Sequence, residues 1–417
     1  MKIKNILILG GGDSTRFWPL SDKNSFLFFG KPLLFHVLES VRDYAENIFV
    51  VTNPTNDSLI KEKSPTKIQT VVIPDPSNSN MGKAVTLCKD VFKGEVLILN
   101  AVDIFDFKVL GELTKKLGQK NDFMFVAKEL KEYFPGAYIQ FEGNAVKEFV
   151  EKPPPDQLPS NMTKFVSDYF SDFSRFIEVL EKTVTDRDDL YEQAINSYIQ
   201  TYPKVDYVLY KDFWYTLKFP WHVLSMTKHF LSLIQKESIG HNCVISKHAH
   251  IGGSVHLGNN VRIGDFAKIS GPAYIGDNVI IGDHALVRES HVESDVLVGG
   301  GTEVARSYIG QKVMLHRNYI GDSVLDEAVL FGSGAVTANF RFDGKTIGSK
   351  VGDKKIDTQL TKLGAMIGKE SKIGVNTTVL PGVKIGKNTF VGPSELVKED
   401  TRDNVFLFNG EYSENQT

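Results

Sequence analysis

The chain has 417 residues, 41% of them apolar and 24% charged, with a formal net charge of −3. That composition fits a soluble globular protein of two or three domains. No Lys/Arg-rich block points to nucleic acid or a membrane surface, and no apolar run reaches the roughly eighteen residues of a transmembrane helix. Cys88 and Cys243 are the only cysteines, which excludes a disulfide framework and a cysteine zinc site and suits a reducing cytoplasm. Met1-Lys-Ile-Lys leads straight into a strand and not into a secretory signal.

Lys4 to Leu9 reads as a buried parallel strand, and Gly10-Gly11-Gly12-Asp13-Ser14-Thr15-Arg16 follows it. Strands at Ile48–Val51, Thr70–Ile73 and Glu95–Leu99 alternate with helical stretches near 55–63 and 82–93, and Asn80 is a candidate cap for the second helix. This βαβα order predicts a doubly wound, Rossmann-like α/β sheet with ligands at the strand carboxyl ends. The glycine-rich loop is either a tight turn or a concavity whose backbone N–H groups receive phosphate.

Gly11 through Pro32 reads GGDSTRFWPLSDKNSFLFFGKP. It resembles the signature of sugar-1-phosphate nucleotidylyltransferases, G-x-G-T-R-x-x-P-L followed by a lysine and G-K-P. The resemblance implies that Gly11 and Gly12 meet the nucleotide phosphates, that Arg16 holds the triphosphate and that Lys23 contacts the reacting phosphates. It places Mg²⁺ on Asp103, and the sugar phosphate on Gly136, Glu151 and Lys152. In such a reaction a hexose- or N-acetylhexosamine-1-phosphate oxygen attacks the α-phosphorus of UTP or dTTP, and pyrophosphate leaves. Positioning and charge neutralisation carry that transfer. The chain departs from the pattern at several points. Asp13-Ser14 replaces x-Gly, Val102 replaces the glycine before Asp103, and Lys164-Phe-Val replaces a sugar-binding Asn-x-Gly. Thr216, within Trp214–Trp221, stands where a second metal carboxylate is expected; Asp106 and Asp168 are the acidic residues that could compensate.

Farther along, Ile245, Ile251, Leu257, Ile263, Ile269, Ile275, Ile281 and Val287 stand six apart, and several are followed by Gly-Asp or Gly-Asn. A period of six fits three short parallel strands per coil, the apolar residue inward and the glycine permitting the turn after it. The repeat resembles the left-handed parallel β-helix of hexapeptide acyltransferases. The expected class is therefore α/β plus all-β. A nucleotidyltransferase-like domain is expected over 1–226, a linking helix over 227–240 and a β-helix over 241–398. A loop insertion at 340–362 interrupts the β-helix, and 399–417 forms a tail.

Within the repeat, His316-Arg-Asn-Tyr319-Ile-Gly-Asp322 and Asn339-Phe-Arg-Phe-Asp resemble the acetyltransferase half of bifunctional glucosamine-1-phosphate acetyltransferase/N-acetylglucosamine-1-phosphate uridylyltransferases, in particular their archaeal-type relatives. The resemblance implies acetyl-CoA as co-substrate and His316 as general base toward an amine, a role suited to imidazole. Tyr319 and Asn339 would place the amino sugar, and Arg288 would bind its phosphate. A homotrimer with CoA lying between subunits is also implied. Two contacts of the pattern are missing. The expected phosphate-binding lysine is Ala305, with Arg306 beside it, and an expected asparagine is Leu330. Two readings stay open: a two-site enzyme of sugar-nucleotide biosynthesis, or a degenerate, non-catalytic or regulatory relative with at most one working site. Neither reading invokes nucleic acid or a membrane.

Overall fold

The computed structural model describes residues 2–131, 133–134, 136–187 and 189–415. It divides into two units, Met1–Asp13 with Leu33–Tyr215, and Ser14–Pro32 with Thr216–Thr417.

The first unit is built on a nine-stranded mixed sheet. Ile3–Leu9 is an inner strand, parallel to Ala45–Thr52 on one side and to Val96–Asn100 on the other. Ile6, Leu7 and Ile8 are fully buried, as expected of a strand covered on both faces. Met162–Phe170 runs antiparallel to Val96–Asn100 and continues the sheet toward Phe123–Glu129 and Ala137–Glu142. Helix Phe173–Lys182 shows how the layers close. Asp172 caps it by accepting from the Ser174 N–H, and Phe173, Phe176, Ile177 and Leu180 form one buried stripe at helical spacing. Asn80 likewise accepts from the Lys83 N–H, but its helix ends at Thr86.

The second unit is a parallel β-helix with three faces. Successive coils pair in register, Ser238 with His256 on the first face, Val244 with Arg262 on the second and His250 with Lys268 on the third. From Leu257 to Val287 the six-spaced residues fill the interior at 0–4% exposure. Ile245 and Ile251 are only partly buried, because they belong to the first, uncovered coil.

The reason for the glycines differs from the sequence expectation. The left-handed backbone sits two residues later, at Asn260 and His284 (φ 58 and 59). Gly258 and Gly282 are instead squeezed by the next coil, where an added Cβ would lie 2.7 Å from the Asp277 nitrogen and 2.5 Å from the Gly300 nitrogen respectively. The following acidic residue stitches coils together, since Asp277 accepts from the Asn259 N–H at 2.7 Å.

Two boundaries also shift. The helix before the repeat is His222–Ser232, not 227–240. The β-helix reaches past 398, because Val405–Phe408 pairs in parallel with Phe390–Val391. The insertion contains a hairpin, Gly348–Val351 with Lys354–Asp357. The tail's last two residues, 416 and 417, lie outside the described residues.

The largest correction concerns Ser14–Pro32, which was expected within a 1–226 domain and belongs to the second unit. The physical reason is aromatic packing plus buried carboxylate bonds. Phe28 stacks on Phe230 at 4.8 Å, and Phe29 lies parallel to His291 at 5.6 Å. Buried Asp326 accepts from both the N–H and the hydroxyl of Ser21 at 2.7 Å. Trp18 donates its indole N–H to Asp403 at 2.8 Å.

Candidate active sites

In the first unit, the loop after Ile3–Leu9 is held from below by an asparagine pair. Asn56 donates to the Gly10 carbonyl and Asn53 to the Gly12 carbonyl, each at 3.1 Å. Gly11 is required by packing, because a Cβ there would lie 2.5 Å from Ile73 and 2.9 Å from the Thr52 carbonyl. Gly12 faces open space, where a ligand can approach its backbone. Asp103 is buried, and its carboxylate takes the Asn100 amide at 3.2 Å. Glu151 and Lys152 pair with each other at 2.6 Å, and the Lys152 N–H donates to the Gly136 carbonyl at 3.0 Å, so these three predicted residues do come together.

The acidic substitutes fare differently. Asp168 is fully buried, paired with Lys164 at 2.7 Å and accepting from the Tyr191 hydroxyl at 3.0 Å. It is not available to a metal. Lys164, which replaces the expected asparagine, is thereby committed to the core. Asp106 is half-buried and accepts from the Lys108 N–H. Among the described residues no group of three His, Cys, Asp or Glu side chains converges as a metal cage. Beside this cluster, burial and the charge of Glu151 push the Glu192 carboxyl up to about 7.

Arg16 and Lys23 lie in the second unit, on the segment seated against the β-helix. Ser14, in place of glycine, keeps the left-handed backbone (φ 60). Its hydroxyl bonds Asp22 at 3.2 Å and accepts from the Lys23 N–H at 3.4 Å, contacts that offset the roughly 1–2 kcal/mol cost of that conformation.

On the β-helix, a pocket of about 420 Å³ opens at the corner after the third face, lined by Arg288, Arg306, Tyr319, Asn339, Phe340 and Lys362. One carboxylate organises it. Asp322 receives a two-point bond from Arg306, 2.7 Å at each contact, and also the Asn339 amide at 2.5 Å. The same amide reaches the Tyr319 hydroxyl at 3.2 Å. Gly321 makes room for this, since a Cβ there would lie 2.7 Å from both partners. Arg288 is held by Glu303 at 2.7 and 3.0 Å. Lys362 is fixed by its isolated antiparallel backbone bridge to Phe340, and it takes part in no ion pair among the described residues.

His316 is exposed at the corner before Tyr319–Gly321 and does not line the pocket. Arg288, Tyr319 and Asn339 are thus brought together, and His316 stands at the other end of the same strand. Reading the sequence left Arg306, Asp322 and Lys362 without roles. For Asp322 the signal was present, as the final position of His-x-x-Tyr-x-Gly-Asp.

Comparison with known proteins bears on both units. The nucleotidyl transferase family model matches residues 5–216, and the bacterial transferase hexapeptide model matches 238–271 and 254–289. The bifunctional protein GlmU of Methanococcus vannielii is 30% identical over 412 residues, covering 96% of this chain and 97% of that protein. The chain belongs to the bifunctional nucleotidylyltransferase/acetyltransferase family. GlmU of Methanocaldococcus jannaschii matches equally, 30% over 96% of this chain and 97% of that protein. The bifunctional sugar-1-phosphate nucleotidylyltransferase/acetyltransferase of Sulfurisphaera tokodaii is 29% identical over 94% of this chain and 97% of its own. Like these relatives, this family member carries both halves on one polypeptide. Among its described residues no helix is long and apolar enough to cross a membrane.

Proposed function

We propose that the protein is a two-site enzyme of sugar-nucleotide biosynthesis. The β-helix transfers an acetyl group from acetyl-CoA to an amino sugar-1-phosphate, and the α/β half joins a sugar-1-phosphate to a nucleoside monophosphate from UTP or dTTP. The observation that carries the reading is the corner pocket, where Arg288, Arg306 and Lys362 face the hydrogen-bonding pair Tyr319 and Asn339. Three cations and two polar side chains suit a sugar bearing a phosphate dianion. Arg306 supplies the cation that Ala305 does not, and Asp322 fixes its guanidinium in the two-point geometry that arginine favours.

In the acetyl reaction, His316 removes the proton as the substrate amine attacks the thioester carbonyl, and the CoA thiol leaves. Its exposed position fits a site completed by a neighbouring subunit. The first face is covered by Ser14–Pro32 through Phe28, Phe29 and Tyr308. The second keeps Val244, Ile280 and Met314 exposed, and these suit packing in a cyclic homotrimer.

In the nucleotidylyl reaction Arg16 and Lys23 neutralise the leaving pyrophosphate, and Lys152 holds the incoming phosphate. The buried carboxylate of Asp103 fits a Mg²⁺ ion carried mainly by substrate phosphates and water. Bound there, the ion would supply charge neutralisation at the reacting phosphates. A cytoplasmic location accords with these substrates.

A second reading, in which only the acetyltransferase works, is favoured by Lys164 and Thr216. The first is locked into Asp168, and the second offers a hydroxyl where a carboxylate is expected. Two assays decide between the readings: pyrophosphate release from each NTP with a panel of hexose-1-phosphates and Mg²⁺, and free thiol released from acetyl-CoA with glucosamine- or galactosamine-1-phosphate. Activity in both supports the two-site enzyme, thiol release alone supports the second reading, and silence in both leaves a non-catalytic relative.

A further inference from the structure

The second unit holds another cavity, of about 620 Å³, whose wall includes Thr15, Trp18, Lys350, Lys384, Asp400 and Arg402. It shares no residue with the acetyl pocket. Thr15 and Trp18 come from the signature segment and flank Arg16. Lys350 comes from the inserted hairpin, and the others from the last coils.

The cations of this cavity are more numerous than their partners. Lys384 is 3% exposed, and its ammonium sits 4.9 Å over the Trp18 ring and 3.4 Å from Asp400, while donating to the Lys350 carbonyl. Asp400 is therefore committed to Lys384, and its other oxygen accepts from the Lys384 backbone N–H. Arg402 is in no ion pair among the described residues. Among the described residues Lys350 has only Glu399 as an acidic partner, at 4.0 Å and with both side chains mostly exposed, a contact of little worth in water. On the hairpin Lys350 stands directly opposite Lys355, and like charges facing across a strand pair destabilise it unless something offsets them. The one further carboxylate of the wall, Asp353, is exposed at the hairpin turn.

We propose that this cavity binds a phosphate-type polyanion, free phosphate or pyrophosphate, between Lys350 and Arg402 with Lys384 behind. The ligand gives two solvent-facing cations a shared partner and relieves the repulsion across the hairpin. It also bridges the hairpin to the last coil, whose Asp403 accepts the Trp18 indole N–H. Occupancy on the β-helix is thereby linked to the seating of the segment that carries Arg16 and Lys23.

Trp18 makes the test direct, because the chain has only three tryptophans. Pyrophosphate, phosphate and sulfate are titrated into the full-length protein at constant ionic strength, by calorimetry and by tryptophan fluorescence. The expected result is saturable binding that weakens roughly tenfold or more in Lys350→Ser/Arg402→Ser, two exposed positions whose replacement should not lower the melting temperature. Binding should persist in Arg16→Ala, and Trp18→Phe should remove the optical change while the heat remains. A preference for pyrophosphate over phosphate identifies a reaction product as the ligand, and equal affinity identifies free phosphate. Three results overturn the proposal: no saturable heat up to about 10 mM, full affinity in the double variant, or loss of all binding in Arg16→Ala. The last assigns the anion to the nucleotidylyl site alone.

Discussion

The corner pocket of the β-helix and the glycine signature after the first strand are both short motifs, yet the fold treats them differently. In the pocket, residues distant in sequence meet because coils stack in register: Glu303 pairs with Tyr319, and Tyr319 with Val336. Tyr319, Gly321 and Asp322 therefore each have a task visible within one unit. The signature is divided. Gly11 and Gly12 stay with the α/β sheet, while Arg16 and Lys23 go with the β-helix. A motif on a periodic scaffold inherits its geometry from the period. A motif on a loop takes its geometry from whatever that loop packs against.

The largest effect should come from His316. His316→Ala is expected to lower kcat for thiol release about 10²–10⁴-fold with little change in KM for acetyl-CoA, because the proposed role of the imidazole is toward the amine and not the CoA. On the other side of the comparison, Asp103→Asn should lower pyrophosphate release about a hundredfold or more, while thiol release stays at the wild-type rate. Equal losses in both assays would show that the two halves are not separable in this way.

Asp326→Ala probes the divided signature itself. It removes the acceptor of two Ser21 bonds and leaves a part-buried N–H unpaired, an expected cost of about 1–3 kcal/mol to the seating of the segment. Hydrogen exchange at Ser21 should accelerate and pyrophosphate release should fall, with thiol release unaffected.

The smallest effect is on stability and is confined to the first unit. Glu192 has its folded pKa raised to about 7, so its ionised form is disfavoured in the native state. Stability is thus lost as pH rises from the unfolded value near 4.5 through 7, by about 3 kcal/mol at most. Glu192→Gln should melt like wild type near pH 4 and above it at pH 8. Parallel melting curves for the two proteins across that range would place the titration elsewhere.

The six-residue period made the β-helix legible from Ile245 onward, because every inward position repeats the same physical demand. The strand order of the α/β half was legible for the same kind of reason: Lys4–Leu9 must be buried on both faces. The allegiance of Ser14–Pro32 was not, since its partners Asp326 and Asp403 lie 305 and 385 residues away and no local pattern records them. The apolar run Phe26-Leu-Phe-Phe29 was the one hint that this loop is packed and not exposed. The role of the repeat glycines was also misread, because contact with the next coil leaves no trace in a single coil's sequence. Arg306 and Lys362 could be assigned only once the Asp322 network and the bridge to Phe340 were visible.

A corner pocket that receives a phosphorylated amino sugar, as proposed, must discriminate by the phosphate. Thiol release from acetyl-CoA, compared for glucosamine-1-phosphate and free glucosamine in wild type and Arg306→Met, tests it most directly. Wild type should prefer the phosphorylated amine by about a hundredfold, the worth of roughly 3 kcal/mol in charge-assisted bonds, and Arg306→Met should lose most of that preference through KM. Equal rates for the two amines in wild-type protein, or an undiminished preference in Arg306→Met, would rule out phosphate recognition by this pocket.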